Sequence, residues 1–172
     1  MRINFAPRGI VEVDDAEFLW PNFSGRGSAY NREGDRNFNL RIRDEEIAQA
    51  LIDEGFNVKI RPGREPGEAP LMYLKVNVKF HPKGSDLERL NPVAYLVTGK
   101  NRIQMDEDTI CCFDDIDVLK VDLDISGSTW NVNGKTGRSA YLKKIYVTQN
   151  VDRFESRYAE EEYPEEDMPP FA

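Results

Sequence analysis

Apolar and polar residues alternate along several short runs of the chain, the period of two that side chains follow on a half-buried strand. Phe38, Leu40 and Ile42 alternate with Asn39, Arg41 and Arg43, and Leu74, Val76, Val78 and Phe80 alternate with Tyr73, Lys75, Asn77 and Lys79. Leu119, Val121, Leu123 and Ile125 alternate with Lys120, Asp122 and Asp124. A final strand is expected over about 139–149. Its apolar phase shifts between Leu142 and Ile145, which predicts a bulge or a strand covered on both faces. Weaker strand patterns lie near 9–13, 17–20, 57–61 and 93–97, and Phe18 and Trp20, set in an apolar stretch, read as core.

One helix is expected over 44–55. Asp44 takes the N-cap, Glu45 and Glu46 sit at the positive end of the helix dipole, and Gly55 ends it. Ile47, Ala48, Leu51 and Ile52 form one apolar stripe. A shorter helical turn is expected near 106–113. Proline and glycine mark loops at 62–70 and 81–92. Residues 126–138, with Gly127, Gly134, Gly137 and Trp130, read as a glycine-rich hairpin loop between two strong strands. Many short strands and one helix fit a small closed or partly closed β-barrel. A two-sheet sandwich matches the strand count nearly as well, and the helix between strands favours the barrel.

Charge changes this picture. The chain carries a formal −8, but residues 150–172 hold eight acids against Arg153 and Arg157, so −6 belongs to that end and about −2 to residues 1–149. Within the body, Arg26, Arg32, Arg36, Arg41 and Arg43 meet only Glu33 and Asp35 over their stretch, and Lys75, Lys79 and Lys83 have no acid between them. The expected division is a folded domain over 1–150 and a disordered acidic tail over 151–172. The tail's acids, tyrosines and prolines cannot bury enough surface to offset the entropy of ordering them. Its end, Met168, Pro169, Pro170, Phe171 and Ala172, is apolar again, which suits docking into a partner's pocket. No apolar run reaches the ~18 residues of a helical membrane span, and the first residues lack the apolar segment of a secretion signal. Adjacent Cys111 and Cys112 read as reduced thiols, because neighbouring cysteines pair only under strain. A cytoplasmic protein is expected.

Catalytic constellations are lacking. His81 stands alone, no spacing of the C-x-x-C or H-E-x-x-H type occurs, and no phosphate-binding glycine fingerprint is complete. Asp114, Asp115 and Asp117 read as a solvated turn, and Asp122 and Asp124 as strand residues that meet lysines across the sheet. The expectation is no enzyme, no catalytic residue, no metal and no cofactor. Interleaved cations and rings say more. Single-stranded nucleic acid is held by a basic groove that neutralises phosphates and by rings on which bases stack. Tyr73, Lys75, Asn77 and Lys79 share one strand face. Residues 23–43 mix Phe23 and Tyr30 with Arg26, Arg32, Arg36, Arg41 and Arg43. Trp130 lies near Lys135 and Arg138, and Tyr141 precedes Lys143. The candidate nucleic-acid site is Arg26, Tyr30, Arg32, Arg36, Arg41, Arg43, Tyr73, Lys75, Lys79, Trp130, Lys135, Arg138, Tyr141 and Lys143.

The acidic end Glu165, Glu166, Asp167, Met168, Pro169, Pro170, Phe171 resembles the tail of phage replicative single-stranded-DNA-binding proteins. Ala29-Tyr30-Asn31-Arg32-Glu33 before the strand at 37–42 resembles their early hairpin, and 118–149 their last barrel strands. The chain departs from the pattern in placing Ala172 after Phe171, which bears on any docking that needs the carboxylate on the aromatic residue. The resemblance implies a mainly β fold, an oligonucleotide/oligosaccharide-binding (OB) five-stranded Greek-key barrel with elaborated loops. It further implies sequence-nonspecific binding and protection of single-stranded DNA in replication, recombination or repair. Replication or recombination partners would be recruited by the tail, in the cytoplasm of the phage's host, by a monomer or homodimer with no membrane role. Stacking and phosphate contacts serve RNA as well, so the sequence does not choose the polymer. Two other readings stay open here: an acidic phage-encoded inhibitor (a DNA mimic or anti-defence protein), which the net −8 favours, and a phage structural or assembly barrel.

Overall fold

The computed structural model describes residues 1–151, so the expected tail and its docking residues Glu165–Phe171 lie outside the described part. In chain order the strands are β1 (Arg2–Ala6), β2 (Ile10–Asp14), β3 (Phe18–Asn22), β4 (Arg36–Ile42), β5 (Lys59–Arg61), β6 (Leu71–Val78), β7 (Val93–Thr98), β8 (Asn101–Met105), β9 (Val118–Val132) and β10 (Lys135–Gln149). Among the described residues there is one α-helix, α1 (Glu45–Asp53), which follows β4.

Five strand segments close into a barrel. β4 pairs antiparallel with β6, β6 parallel with β10, β10 antiparallel with β9, and β9 antiparallel with β2. β2 and β3 are two halves of one bent strand, and β3 returns to β4. Main-chain bonds carry the pairing through the bend: Ala16 N–H donates to Val121 C=O at 2.8 Å, and Arg41 N–H donates to Glu17 C=O at 3.0 Å. Asp15 takes the corner at φ 54°, a left-handed conformation that short polar residues tolerate. This circuit is the expected five-stranded Greek-key barrel. β1, β5 and the β7–β8 hairpin are additions to it.

Alternate residues fill the interior: Val11 and Val13; Phe38, Leu40 and Ile42; Met72, Leu74, Val76 and Val78; Val121, Leu123 and Ile125; Ala140, Leu142, Ile145 and Val147. The phase change in β10 is a bulge at Lys143, where the register with β9 shifts between Leu142 and Lys144. The helix begins as expected, with the Asp44 carboxylate accepting the Glu46 N–H at 2.8 Å, and it buries Ala48 and Leu51, while Ile52 at the stripe's edge stays exposed. The turn expected near 106–113 is a 3-10 turn at Ile110–Asp114, which buries Ile110 and Phe113.

Three elements differ from expectation. β1 and β8 are edge strands that pair without burying a full face, so neither shows the alternation that betrays a half-buried strand. Residues 126–138 are not a loop. β9 and β10 run on as one long ribbon to a two-residue turn, Asn133 (φ 52°) and Gly134 (φ 78°), the asparagine–glycine pairing whose twist matches that of the flanking strands. Trp20, read as core, is 51% exposed. Among the described residues no helix is long and apolar enough to cross a membrane.

The turn's demand for a left-handed residue is testable. Gly134→Ala should cost about 1–2 kcal/mol, seen as a lower urea midpoint with an unchanged slope.

Candidate nucleic-acid interface

Because the odd-numbered residues of β4 and β6 point away from the core, the register brings them together outside. Arg41, Asn39 and Asn37 lie opposite Tyr73, Lys75 and Asn77. Tyr141 of β10 lies opposite Asn77, and Ser126, Ser128 and Trp130 of β9 lie opposite Tyr141, Ser139 and Gly137. One outer face therefore carries rings and cations across four barrel strands.

Its most built part is a platform that the sequence did not reveal. A bulge in β3, between Leu19 and Asn22, turns Trp20 outward at φ 48°, a conformation that a bulky residue holds only under strain. Trp20 meets Tyr73 edge to face at 5.2 Å, and the Arg61 guanidinium lies 5.5 Å from both ring centres. Tyr73 is consequently only 5% exposed. It supports a stacking surface rather than offering one, and Trp20 takes the role expected of it. Beside the platform, an open groove of about 490 Å³ is bordered by Trp20, Arg41, Arg43, Arg61 and Arg64.

The loop between β3 and β4 presents a second ring. Phe23 is fully buried, packed on Phe18, Phe38 and Phe113 at ring distances of 5.0–5.3 Å within that cluster, so it belongs to the core and not to the site. The Asp114 carboxylate accepts the Phe23 and Ser24 N–H groups at 2.8 and 3.0 Å. The Asn31 side-chain amide donates to the carbonyls of Arg26, Arg32 and Asp35 at 2.8, 3.2 and 3.0 Å. This bonding fixes the loop. It holds Tyr30 out at 99% exposure, with exposed Arg26 and Arg32 nearby in the same loop.

Several expected phosphate ligands are otherwise engaged. Arg36 donates to the Phe23 carbonyl at 2.7 Å and lies over Phe80, which makes it an anchor of the loop. Arg43 donates twice to Glu17, at 2.9 and 3.0 Å, and Arg41 lies 3.6 Å from the same carboxylate. Arg43's hydrogen bonds, aided by its charge and that of Arg41, outweigh desolvation and hold Glu17 below its ordinary value of 4.5. Arg138 turns to the inner side of the ribbon, where it donates to the Glu54 and Gly9 carbonyls, pairs with the Glu54 carboxylate at 3.4 Å and covers Phe56 at 4.8 Å. It locks the barrel seam. Lys75, Lys79, Lys135 and Lys143 are exposed and make no ion pair among the described residues. Tyr141 is half-buried on the outer face. Trp130, 39% exposed, lies flat on Gly137, where a Cβ would come within 2.6 Å of the ring. Lys59 and Arg61 lie on the weak strand expected near 57–61, but its three residues are exposed throughout, so nothing in its pattern marked them as part of the site. Among the described residues no group of His, Cys, Asp or Glu side chains could hold a metal ion.

The sequence profile of the phage ssDNA-binding domain family matches residues 3–169. No curated protein sequence matches the chain. The fold is similar to that of a single-stranded DNA-binding protein from bacteriophage Enc34 in complex with ssDNA: the TM-score is 0.54 at 11% identity, covering 88% of this chain and 93% of that one. Another structure of the Enc34 protein matches with TM-score 0.52 at 10% identity, over 96% of this chain and 92% of that one.

Two outcomes follow from the geometry. Asp114→Ala leaves two backbone donors without their acceptor and should cost about 2–4 kcal/mol, with faster amide exchange across residues 24–35. The Glu17 pair stabilises the fold fully above the ordinary value of 4.5, and that contribution is lost as pH falls through the lower folded value. Glu17→Gln should therefore flatten the acid limb of urea midpoints measured against pH.

Proposed function

Since the chain belongs to the phage ssDNA-binding domain family, we propose that it binds single-stranded DNA without sequence preference across the outer face of the barrel. Bases would stack on Trp20, Tyr30 and Trp130, with Tyr141 beside them. Phosphates would be neutralised by Arg26, Arg32, Arg61, Lys75, Lys79, Lys135 and Lys143. One observation carries this assignment: an exposed tryptophan held in a strained backbone conformation, backed by Tyr73 and Arg61. Strain of this kind costs roughly 1–3 kcal/mol and persists where surrounding structure enforces it, commonly at ligand sites.

Stacking on a ring's face works for every base, and lysine contacts to phosphate carry no sequence information, so the arrangement favours coverage over readout. Arg41 and Arg43, which share the single negative charge of Glu17, would tune the groove's potential more than hold phosphates outright. Arg36 and Arg138 would serve by fixing the loop and the seam. In this reading the protein coats single strands during phage replication, recombination or repair and needs no catalytic step. Residues 1–150 form the binding domain, and residues 151–172, ending in Glu165, Glu166, Asp167, Met168, Pro169, Pro170 and Phe171, recruit replication or recombination partners.

Titration of a dT oligomer, followed by quenching of the two tryptophans, tests this directly. Trp20→Ala should weaken binding by about 5- to 100-fold, the equivalent of one stacked base, with little change in melting temperature. The logarithm of affinity should fall with the logarithm of salt at a slope of about −3 if four cations meet phosphates. Undiminished affinity in Trp20→Ala would remove the platform from the site.

A further inference from the structure

We propose that the outer face of β7, β8 and the second half of β10 holds a second stacking subsite for single-stranded nucleic acid, formed by Tyr95, Tyr146, Arg102 and Lys144. It rests on the binding reading above and lengthens the occupied path beyond the Trp20 platform.

The two surfaces are parts of one face. β10 has β9 along one edge, and along its other edge β6 is followed by β7: Tyr141 pairs with Asn77, and three residues later Lys144 pairs with Val93. The bulge at Lys143 leaves Lys143 and Lys144 both exposed at this junction. Beyond it, Tyr146 pairs with Tyr95, and their rings stack at 4.9 Å with an interplanar angle of 18°. The Arg102 guanidinium lies 4.7 Å from the Tyr95 ring centre and 5.9 Å from that of Tyr146, and donates to the Tyr146 hydroxyl at 3.4 Å. Lys144 Nζ lies 5.4 Å from the Tyr146 ring centre.

Two tyrosines alone could be a staple between strands. The cations argue for more. Arg102 and Lys144 are exposed, and neither has a carboxylate within 4.0 Å among the described residues. Uncompensated cations held over rings provide charge for phosphates and, in the guanidinium, a plane on which a base can stack. Acids flank this surface on the β9 side. Asp124 is opposite Lys144, and Asp122, opposite Tyr146, is 3.6 Å from Lys120. A strand leaving Tyr141 and Lys143 would thus be turned away from β9 and along Lys144 towards Arg102. The interval from Tyr141 to Tyr146 is about 15 Å at the usual strand rise, within reach of a few nucleotides.

The test compares a dT oligomer of about 6 nucleotides, near the lower end of single-domain site sizes, with one of about 25, beyond their upper end. Trp20, on the platform, and Trp130, opposite Gly137 on the β9–β10 ribbon, both lie off the Tyr95–Tyr146 pair, so their quenching by the short oligomer reports the first surface. In the exposed double variant Arg102→Ala/Lys144→Ala, affinity for the short oligomer should stay within about 2-fold. Affinity for the long one should drop about 10-fold or more, as expected for losing one stacked base and two phosphate contacts. Its salt slope should shrink by about 1.4. Equal weakening of both oligomers, or no weakening of the long one, would overturn the subsite while leaving the first platform standing. Failure of the unaltered protein to bind either oligomer would overturn both readings.

Discussion

The fold depends on one segment serving two neighbours. Residues 10–22 pair with β9 before the corner at Asp15 and with β4 after it, and without that shared strand the sheet would stay open. Closure removes the two edges that would meet there and fixes which residues of each strand point inward. The outer face is a consequence: once Phe38, Leu40 and Ile42 are inside, Asn37, Asn39 and Arg41 have nowhere else to go.

Charge on that face is sorted by partner more than by residue type. The arginines nearest the barrel's corners are spent on structure, Arg36 on a carbonyl, Arg43 on Glu17 and Arg138 on the seam. Each has the planar fork that such fixed geometry rewards. The lysines along β6 and β10 stay in solvent, where a mobile point charge can follow a phosphate that has no fixed position. Four acids of the body, Glu12 and Asp14 on β2 and Asp122 and Asp124 on β9, lie on these two paired strands.

Much of this was legible in the chain itself. Alternation gave the barrel strands and their buried faces, and the broken phase between Leu142 and Ile145 located the bulge. The helix cap at Asp44 was equally plain. What escaped were features set by tertiary contact. Nothing in Phe18-Leu19-Trp20 shows that a bulge will expel the tryptophan, because expulsion is decided by pairing with β4 and by Tyr73 beneath it. Arg138 reads as one more cation beside Trp130, and only the approach of Glu54 and Phe56, far away in sequence, makes it structural. Glycines 127 and 137 look like hinges yet sit inside strands, where they admit the Arg138 and Trp130 side chains.

The bulge at Lys143 has a consequence for how such a surface evolves. A regular strand can show only every second side chain to solvent, which caps its linear density of positive groups. One inserted residue lifts that cap locally without altering any buried neighbour. Adhesion to a polyanion can therefore drift by insertion or deletion at a single codon, independently of the selection that keeps the interior packed.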